Sequence, residues 1–497
     1  MTDQENQPSG GITLVGLGCG KPGWVTREAW DWLKEIDTLY LRTKLHPLME
    51  SLPSHLQLKL FEDIYQDEEE SEMVYDAIIE EILRLGKRPE GVTYAVPGHP
   101  FVAEPTCPEI ARRAKELGIN LRVIDGVSYL EPTFRALGID PFPELSLTDA
   151  IIFSTRHTPN FPTSSPALIT QITSKRIAAK VKVTLMAAYP GEHLVRMVYG
   201  VGTDNEKVED LPLHAIDQNI PLGWLSSLFI PPLSQSSSFE SFQEIIAQLR
   251  APDGCPWDRK QTHISLRPFL LEEAYETLDA LDRSDMRDLQ EELGDLLLQI
   301  VLHAQIATED GDFNMHQVLH GIGSKLIRRH PHVFSNVEVE DVSGVIRTWE
   351  AIKAEERQEN GEASKQGLLD GVPRALPALL QAEEVIERVG RVGFDRQEKM
   401  GKKQVVQKLL QSVMIVDEHQ REETVGELLL AVASMAHSLN INAESALREA
   451  VMRFRVRFGA MESRILETGE SMVEMAQDKK AKLWRTLESD ELRSEET

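Results

Sequence analysis

Cysteine is nearly absent. Cys19, Cys107 and Cys255 are the only three in 497 residues, they lie far apart, and no C-x-x-C pair occurs. A disulfide framework and a thiolate zinc site are therefore excluded. Long apolar runs are missing too: no uninterrupted stretch of about 18 apolar residues exists, so no segment reads as a membrane span. The opening MTDQENQPSGG is polar and has no basic-then-apolar signal pattern, so a soluble, cytoplasmic chain is expected. Positive charge is in short supply: 53 Lys and Arg against 80 Asp and Glu leave a net charge of −27. A field of that sign repels phosphate backbones and anionic lipid, so neither bulk nucleic-acid binding nor a membrane partner is expected.

What is present is globular material, with 41% hydrophobic residues. At about 150 residues per domain, the length predicts roughly three domains. Over the first ~230 residues, the short apolar runs Ile12–Leu17, Val92–Val96, Leu121–Ile124, Ala150–Phe153 and Val181–Ala187 read as buried strands. Helical patterns such as Thr26–Ile36 and Pro105–Leu117 lie between several of them. Alternation of this kind predicts an α/β domain with largely parallel sheets. Pro231-Pro232 and the serines from Ser234 to Ser238 then break the pattern, and from Phe239 onward the periodicity is helical.

A second break at 359–367 separates two helical blocks that look duplicated. Glu291-Glu-Leu-Gly-Asp-Leu-Leu-Leu298 aligns with Glu423-Thr-Val-Gly-Glu-Leu-Leu-Leu430, the two central glycines (Gly294, Gly426) being 132 apart. Trp349 and Trp484 are 135 apart. The expected organisation is a disordered tail (1–10), an α/β domain (11–232), a linker (233–240), an all-α bundle (241–358), a linker (359–367), a second all-α repeat (368–485) and an acidic tail (486–497).

The sharpest chemistry lies in the first helical block. In Leu270-Leu-Glu-Glu-Ala-Tyr-Glu-Thr-Leu278, Glu273 and Glu276 are three apart and Glu272 and Glu276 four apart, neighbouring turns of a helix. Glu292 and Asp295 repeat the three-residue spacing about sixteen residues on. A turn at Arg283–Met286 would fold the two helices antiparallel and let Glu273, Glu276, Glu292 and Asp295 converge. Leu289, Leu293, Leu296, Leu297 and Ile300 form the apolar stripe expected to bury the second helix and hold the carboxylates beside it. An isolated E-x-x-E is ordinary solvated surface. Two such pairs brought together repel unless a cation joins them, and an all-oxygen set suits Mg²⁺ or Mn²⁺. Lys325, Arg328 and Arg329, clustered in an acidic chain, supply cations of the kind that grip phosphate oxygens. His330 and His332 flank Pro331 with no third histidine close by, which points to hydrogen-bonding roles, and Trp349 is placed to be core or to stack on a base.

Gly254-Cys-Pro-Trp-Asp258, Gln261-Thr-His263, the E-E-x-x-E…E-x-x-D pattern and Arg328-Arg-His-Pro-His-Val-Phe334, with the later tryptophan, resemble the MazG family of nucleoside triphosphate pyrophosphohydrolases. The resemblance spans about residues 239–355. It implies an all-α, dimer-forming bundle that hydrolyses nucleoside triphosphates to monophosphate and pyrophosphate with Mg²⁺. It also implies Glu273, Glu276, Glu292 and Asp295 as metal ligands and Glu272 as an outer carboxylate that positions water. Lys325, Arg328 and Arg329 would hold phosphates, and Trp349 and Trp257 would line the nucleotide. The second block resembles a second MazG repeat, but Gln411, Ser412, Ile415 and Thr424 stand where carboxylates belong and only Glu427 remains, so no metal cluster can form there. Arg453, Arg457 and Trp484 persist.

In the first domain, Ile12-Thr-Leu-Val-Gly-Leu-Gly-Cys-Gly20 is a strand entering a glycine turn, and Val92-Thr-Tyr-Ala-Val-Pro-Gly-His-Pro100 a strand ending in a rigid turn. Asp125-Gly-Val-Ser-Tyr129 supplies a further strand-end loop. Together, over about 11–232, these are similar to the tetrapyrrole methylases, which bind S-adenosylmethionine between two α/β subdomains. The resemblance implies Gly16, Gly18, Gly20, Pro97, Gly98, His99 and Ser128 as cofactor-binding residues. Lys21-Pro22 and His99-Pro100 depart from the Asp-Pro pairs common in that family, which puts the methyl acceptor in doubt. The expectation is a Mg²⁺-dependent pyrophosphohydrolase joined to a methyltransferase-like domain. The alternative is a methyltransferase whose helical half serves as a nucleotide-sensing dimerisation module.

Overall fold

A computed structural model describes residues 10–495 except 45, 62–71, 219–221, 224–225, 235, 336, 338, 340, 360–366, 395–400, 416 and 469. Most of the tail at 1–10 and of the linker at 359–367 thus lies outside the described residues. The chain forms two compact units, Met1–Lys260 and Gln261–Thr497.

The first unit runs β1 (Ile12–Gly16), α1 (Arg27–Glu35), β2 (Thr38–Leu41), β3 (Gln57–Leu60), α2 (Glu72–Gly86), β4 (Val92–Val96), α3 (Thr106–Glu116), β5 (Leu121–Ile124) and α4 (Leu130–Leu137). It continues with β6 (Ser146–Asp149), α5 (Ala150–Phe153), β7 (Ala167–Thr170), α6 (Lys175–Met186), β8 (Leu194–Tyr199), β9 (Lys207–Pro212), β10 (Ser227–Ile230) and α7 (Phe239–Arg250). The first sheet has the order β3-β2-β4-β1-β5, with every strand parallel. Side chains alternate between its faces. Ile12, Leu14, Val92, Tyr94 and Val96 enter one core with residues of α2 and α3, whereas Val15, Leu39, Leu41, Ala95 and Ile124 enter another with α1. Burial on both faces is why β1 and β4 read as continuous apolar runs, whereas β5, expected to be buried, has Leu121 and Arg122 exposed. Each buried Val, Leu or Ile of these cores contributes about 1.5–3 kcal/mol by leaving water.

The second sheet, β6-β7-β10-β8-β9, corrects the expectation of parallel pairing: only β6 and β7 run parallel, and the other three pairs are antiparallel. Two expected strands are helices. Asp149 accepts from the backbone N–H groups of Ile151 and Ile152 and turns Ala150–Phe153 into α5. Four apolar residues cannot distinguish helix from strand by periodicity. Val181–Ala187 falls at the end of α6, where Ser174 caps the start and Ala178, Val181 and Leu185 are buried at helical spacing.

The second unit is helical, with no strand among its described residues: α8 (Arg267–Asp282), α9 (Met286–Asp310), α10 (Met315–Arg329), α11 (Pro331–Phe334) and α12 (Val342–Glu359), then α13 (Ala378–Arg391), α14 (Lys402–Val413), α15 (Glu418–Ser438), α16 (Ala443–Glu467) and α17 (Gln477–Glu495). α17 carries the chain through most of the segment expected as an acidic tail. The turn between α8 and α9 forms where expected. Ser284 takes φ +54° and Asp285 caps α9 by accepting from Arg287 N and Asp288 N, each at 3.1 Å. The apolar stripe of α9 is not buried as expected: Leu293, Leu297 and Ile300 are 50%, 38% and 42% exposed. Its buried face is set further along, at Gln299, Val301, Leu302, Ala304, Ile306 and Ala307. No single helix among the described residues is long and apolar enough to cross a membrane.

Candidate functional site

The antiparallel pairing of α8 and α9 sets carboxylates of the two helices face to face. Glu273, Glu276 and Glu292 each offer an oxygen within 4.8 Å of the others, the only such group of three or more metal-ligating side chains among the described residues. Buried Thr277 stitches the pair, its hydroxyl donating to Glu273 O at 2.8 Å and lying 3.5 Å from Glu292 O. Burial, the charges of Asp295 and Glu276, and a hydrogen bond with Glu276 raise the Glu273 carboxyl above its ordinary value. Glu292 is raised by burial and then by Glu276, Asp288 and Asp295. Its Oε2 is buried with no hydrogen-bond partner, an acceptor left bare in a cluster of like charge. Asp295 stands outside the group of three but acts on it electrostatically, and Glu272 is exposed on α8 beside Glu273.

The cations of α10 are organised by a residue the sequence reading passed over. Glu356 of α12 accepts from Arg329 through Nε at 3.2 Å and Nη2 at 2.5 Å, and pairs with Arg328 Nη2 at 2.6 Å. The hydrogen bonds of Arg329, first among the causes, hold its carboxyl below the ordinary range. Trp349 completes the arrangement, with Arg329 Cζ 5.8 Å and Lys353 Nζ 3.9 Å from its ring. Trp349 is therefore a cation-lined wall rather than core. Glu356 sits seven residues after Trp349, two turns along the same face of one helix, so the spacing was legible. Lys325 is exposed and makes no ion pair with another described residue. His330 caps α10, its Nδ1 within 2.7 Å of Leu326 O, while His332 Nδ1 is buried without a partner. Trp257 is half exposed and belongs to the first compact unit, outside the unit that carries the carboxylates. His263 faces His303 with Nδ1 atoms 2.7 Å apart, a pairing that only the folding back of α9 makes visible.

In the second block α14 and α15 pair as α8 and α9 do, but the matching side chains are spent on their own helices. Ser412 donates to Lys408 O at 3.0 Å, Thr424 donates to Gln420 O at 2.8 Å, and Ile415 is exposed.

In the first unit, β1 and β4 end flush, Gly16 beside Val96, with β5 finishing one residue earlier. Their loops therefore leave the carboxyl edge side by side, where open α/β sheets bind ligands. A Cβ on Gly16 would lie 2.5 Å from Gly126 N and 2.6 Å from Gly98 O, so that glycine serves the packing of the three loops on one another. Gly18 pairs with Gly98 through two backbone hydrogen bonds, and Gly20 packs on Gly202 in the turn between β8 and β9. Gly98, at φ +70°, is different: a Cβ there would meet only Ser128 Cα, at 4.0 Å, so its face is open. Pro97 precedes it, His99 sits 3.2 Å from Asp125, and buried Ser128 accepts from Leu130 N at 3.0 Å. Ala103 and Gln171 both hold positive φ, 51° and 61°, and Gln171 Nε2 donates to Ala103 O at 3.5 Å. Strain of this kind on non-glycine residues gathers at ligand sites. His46, unremarked in the sequence, is buried beneath the glycine turn. Its Nδ1 accepts from Leu48 N, so Nε2 carries the proton and donates to Gly18 O at 2.8 Å, while burial lowers its pKa.

Two family models match the chain: the tetrapyrrole (corrin/porphyrin) methylases over residues 11–217 and the MazG nucleotide pyrophosphohydrolase domain over residues 261–334. The protein YabN of Bacillus subtilis is 37% identical across 98% of this chain and 100% of its own length. The nucleoside triphosphate pyrophosphohydrolase of Escherichia coli is 39% identical over 50% of this chain and 96% of its own. The nucleoside triphosphate pyrophosphohydrolase/pyrophosphatase MazG of Thermotoga maritima is 39% identical over 50% of this chain and 94% of its own.

Proposed function

Because the chain belongs to the family in which a tetrapyrrole methylase domain precedes a MazG nucleotide pyrophosphohydrolase domain, we propose that its helical unit hydrolyses nucleoside triphosphates to monophosphate and pyrophosphate. One observation carries the reading: three carboxylates within 4.8 Å of one another, one of them with a buried, unpartnered oxygen. Glu273, Glu276 and Glu292, with Asp295 one turn along, would hold Mg²⁺ or Mn²⁺. The bare Glu292 oxygen and the crowded charges around Glu273 suit a hard cation with oxygen ligands. When bound, that ion supplies positive charge against phosphate oxygens. Lys325, Arg328 and Arg329 would grip the phosphates, with Glu356 and Trp349 fixing the arginine fork. Glu272, outside the group of three, would orient the water that attacks the α-phosphorus and take up its proton. The α–β anhydride bond breaks, and pyrophosphate leaves. The test is ion-exchange analysis of products from each nucleoside triphosphate with Mg²⁺. Monophosphate plus pyrophosphate, lost with chelator and in Glu273→Ala, supports the proposal; diphosphate plus phosphate, or full activity in the variant, defeats it.

A second reading, methyl transfer by the first unit, is favoured by the open face of Gly98 among three converging loops and by the strained pair Ala103 and Gln171. S-adenosylmethionine would lie along that edge, against Pro97, Gly98, His99 and Ser128 and the glycine turn. Calorimetric titration should release heat of binding, and none at millimolar cofactor would remove this reading. A homodimer through the helical unit belongs to the proposal as well. Leu293, Leu297 and Ile300 form an apolar stripe in water that a second copy would cover, and sedimentation measures it. A cytoplasmic location fits a nucleotide substrate.

A further inference from the structure

We propose that the second helical block holds a nucleotide without cutting it, at a site formed by α16 and α17. In a chain of net charge −27, α16 carries Arg453-Phe-Arg-Val-Arg-Phe458, cations alternating with apolar residues. Helical spacing puts Arg453 and Arg457 on one face and Phe454 and Phe458 on the next. The two phenylalanine rings lie 6.1 Å apart and nearly parallel, at 12°, and Phe454 also meets Trp484 at 4.9 Å. Phe454 is 56% exposed, an open aromatic face of the kind on which a base stacks. Arg457 lies with Cζ 5.0 Å from the Trp484 ring and pairs with Glu488 at 2.8 Å.

This repeats the geometry of α10 and α12. There Arg329 lies over Trp349 and is held by Glu356, and Lys325 precedes it by four residues as Arg453 precedes Arg457. The cation pair thus recurs 128 residues on (453 − 325 and 457 − 329), the tryptophan wall 135 (484 − 349) and the anchoring glutamate 132 (488 − 356). The carboxylate half of the site does not recur. A ligand of the same chemistry, a nucleoside phosphate, would stack its base on Phe454 and present phosphate to Arg453. Arg453's partner Glu449 is an exposed neighbour at 3.6 Å, a weak competitor. With no acidic cluster among its described residues, the block would not hold a metal against the anhydride, so the ligand persists. A single nucleic-acid strand would share the stacking but calls for a longer basic track than the three arginines of this segment in an acidic chain. The inference rests on the reading that α10 and α12 handle nucleotide.

Calorimetry on the full-length protein tests it, with the α,β-methylene analogues of the four ribonucleoside triphosphates as probes. With Mg²⁺ the expected stoichiometry is two per chain. In EDTA one equivalent remains, and Arg453→Ala with Phe454→Ala removes it while leaving monophosphate release unchanged. Phe454→Leu, which keeps an apolar cover on Trp484, should weaken this equivalent about 5- to 150-fold, the loss of one stacked base. One equivalent abolished by Lys325→Ala and untouched by the α16 variants overturns this inference and spares the first site. One equivalent abolished only by the α16 variants overturns the assignment of Lys325. No binding overturns both. A 20-nucleotide single strand that binds more tightly than any analogue, and is lost in the α16 variants, replaces the nucleotide with nucleic acid.

Discussion

Glu273→Gln should stabilise the metal-free protein while abolishing its response to Mg²⁺. Glu273 lies with its ligand atom within 4.8 Å of that of Glu276, and burial together with Asp295 and Glu276 already raises its pKa. Two unit charges that far apart repel by about 1 kcal/mol at the dielectric of water, the fitting choice for partly exposed carboxylates. Glutamine keeps the volume and removes the charge. The variant in EDTA should therefore melt about 2–4 °C above wild type, the shift that 1 kcal/mol produces in a unit of this size. Mg²⁺ at a hundred times its dissociation constant should stabilise wild type by about 2.7 kcal/mol, or roughly 5–10 °C, and the variant by little. The two proteins thus exchange rank when the metal is added. Differential scanning calorimetry with and without chelator reads the exchange, and monophosphate release should fall at least about 100-fold in parallel. A variant that melts below wild type in EDTA, or that keeps the whole Mg²⁺ increment, would refute the argument that these carboxylates are arranged for a cation.

The pH dependence has a definite sign. Glu273 and Glu292 bind protons more readily folded than unfolded, so metal-free stability falls as pH rises above the ordinary carboxyl value of 4.5. Mg²⁺ must displace those protons, and its melting increment should be larger at pH 8 than at pH 5; an equal increment contradicts the shifts. Glu356 is the opposite case: its lowered pKa contributes stability that is present above 4.5 and lost as pH falls through the folded value. Glu356→Gln should cost about 1–3 kcal/mol at neutral pH, raise KM by loosening Arg328 and Arg329, and flatten the acid limb of the stability curve, all readable by urea titration at several pH values and by steady-state kinetics. Gly16→Ala, whose Cβ would stand 2.6 Å from Gly98 O, should destabilise the first unit by about 1–3 kcal/mol in denaturant and abolish the heat of S-adenosylmethionine binding; an unchanged midpoint would show that the three loops are less tightly packed.

The residue types and their spacing were enough to place the chemistry. The E-x-x-E and E-x-x-D pairs sit on α8 and α9 because helical periodicity ties three- and four-residue spacing to one face, and Asp285 stops one helix and starts the next. The missing carboxylates of the second block were equally plain, as was the parallel first sheet, whose central strands β1 and β4 are buried on both sides. Tertiary structure decided the rest. Ala150–Phe153 is helical because Asp149, just before the run, bonds to backbone N–H groups inside it, and Val181–Ala187 because it ends a helix that Ser174 caps seven residues upstream. The second sheet is mostly antiparallel because β8 and β9 form a hairpin and β10 inserts between β7 and β8, antiparallel to both. Leu293, Leu297 and Ile300 of α9 stay largely in water while the buried face of that helix lies further along, at Gln299–Ala307, which no composition reveals. Glu356 gathers Arg328 and Arg329 only once α12 lies against α10. Local sequence carries which groups are available and which face of an element they share. Which groups meet, and which end bare of partners like Glu292 Oε2, depends on contacts between elements distant along the chain.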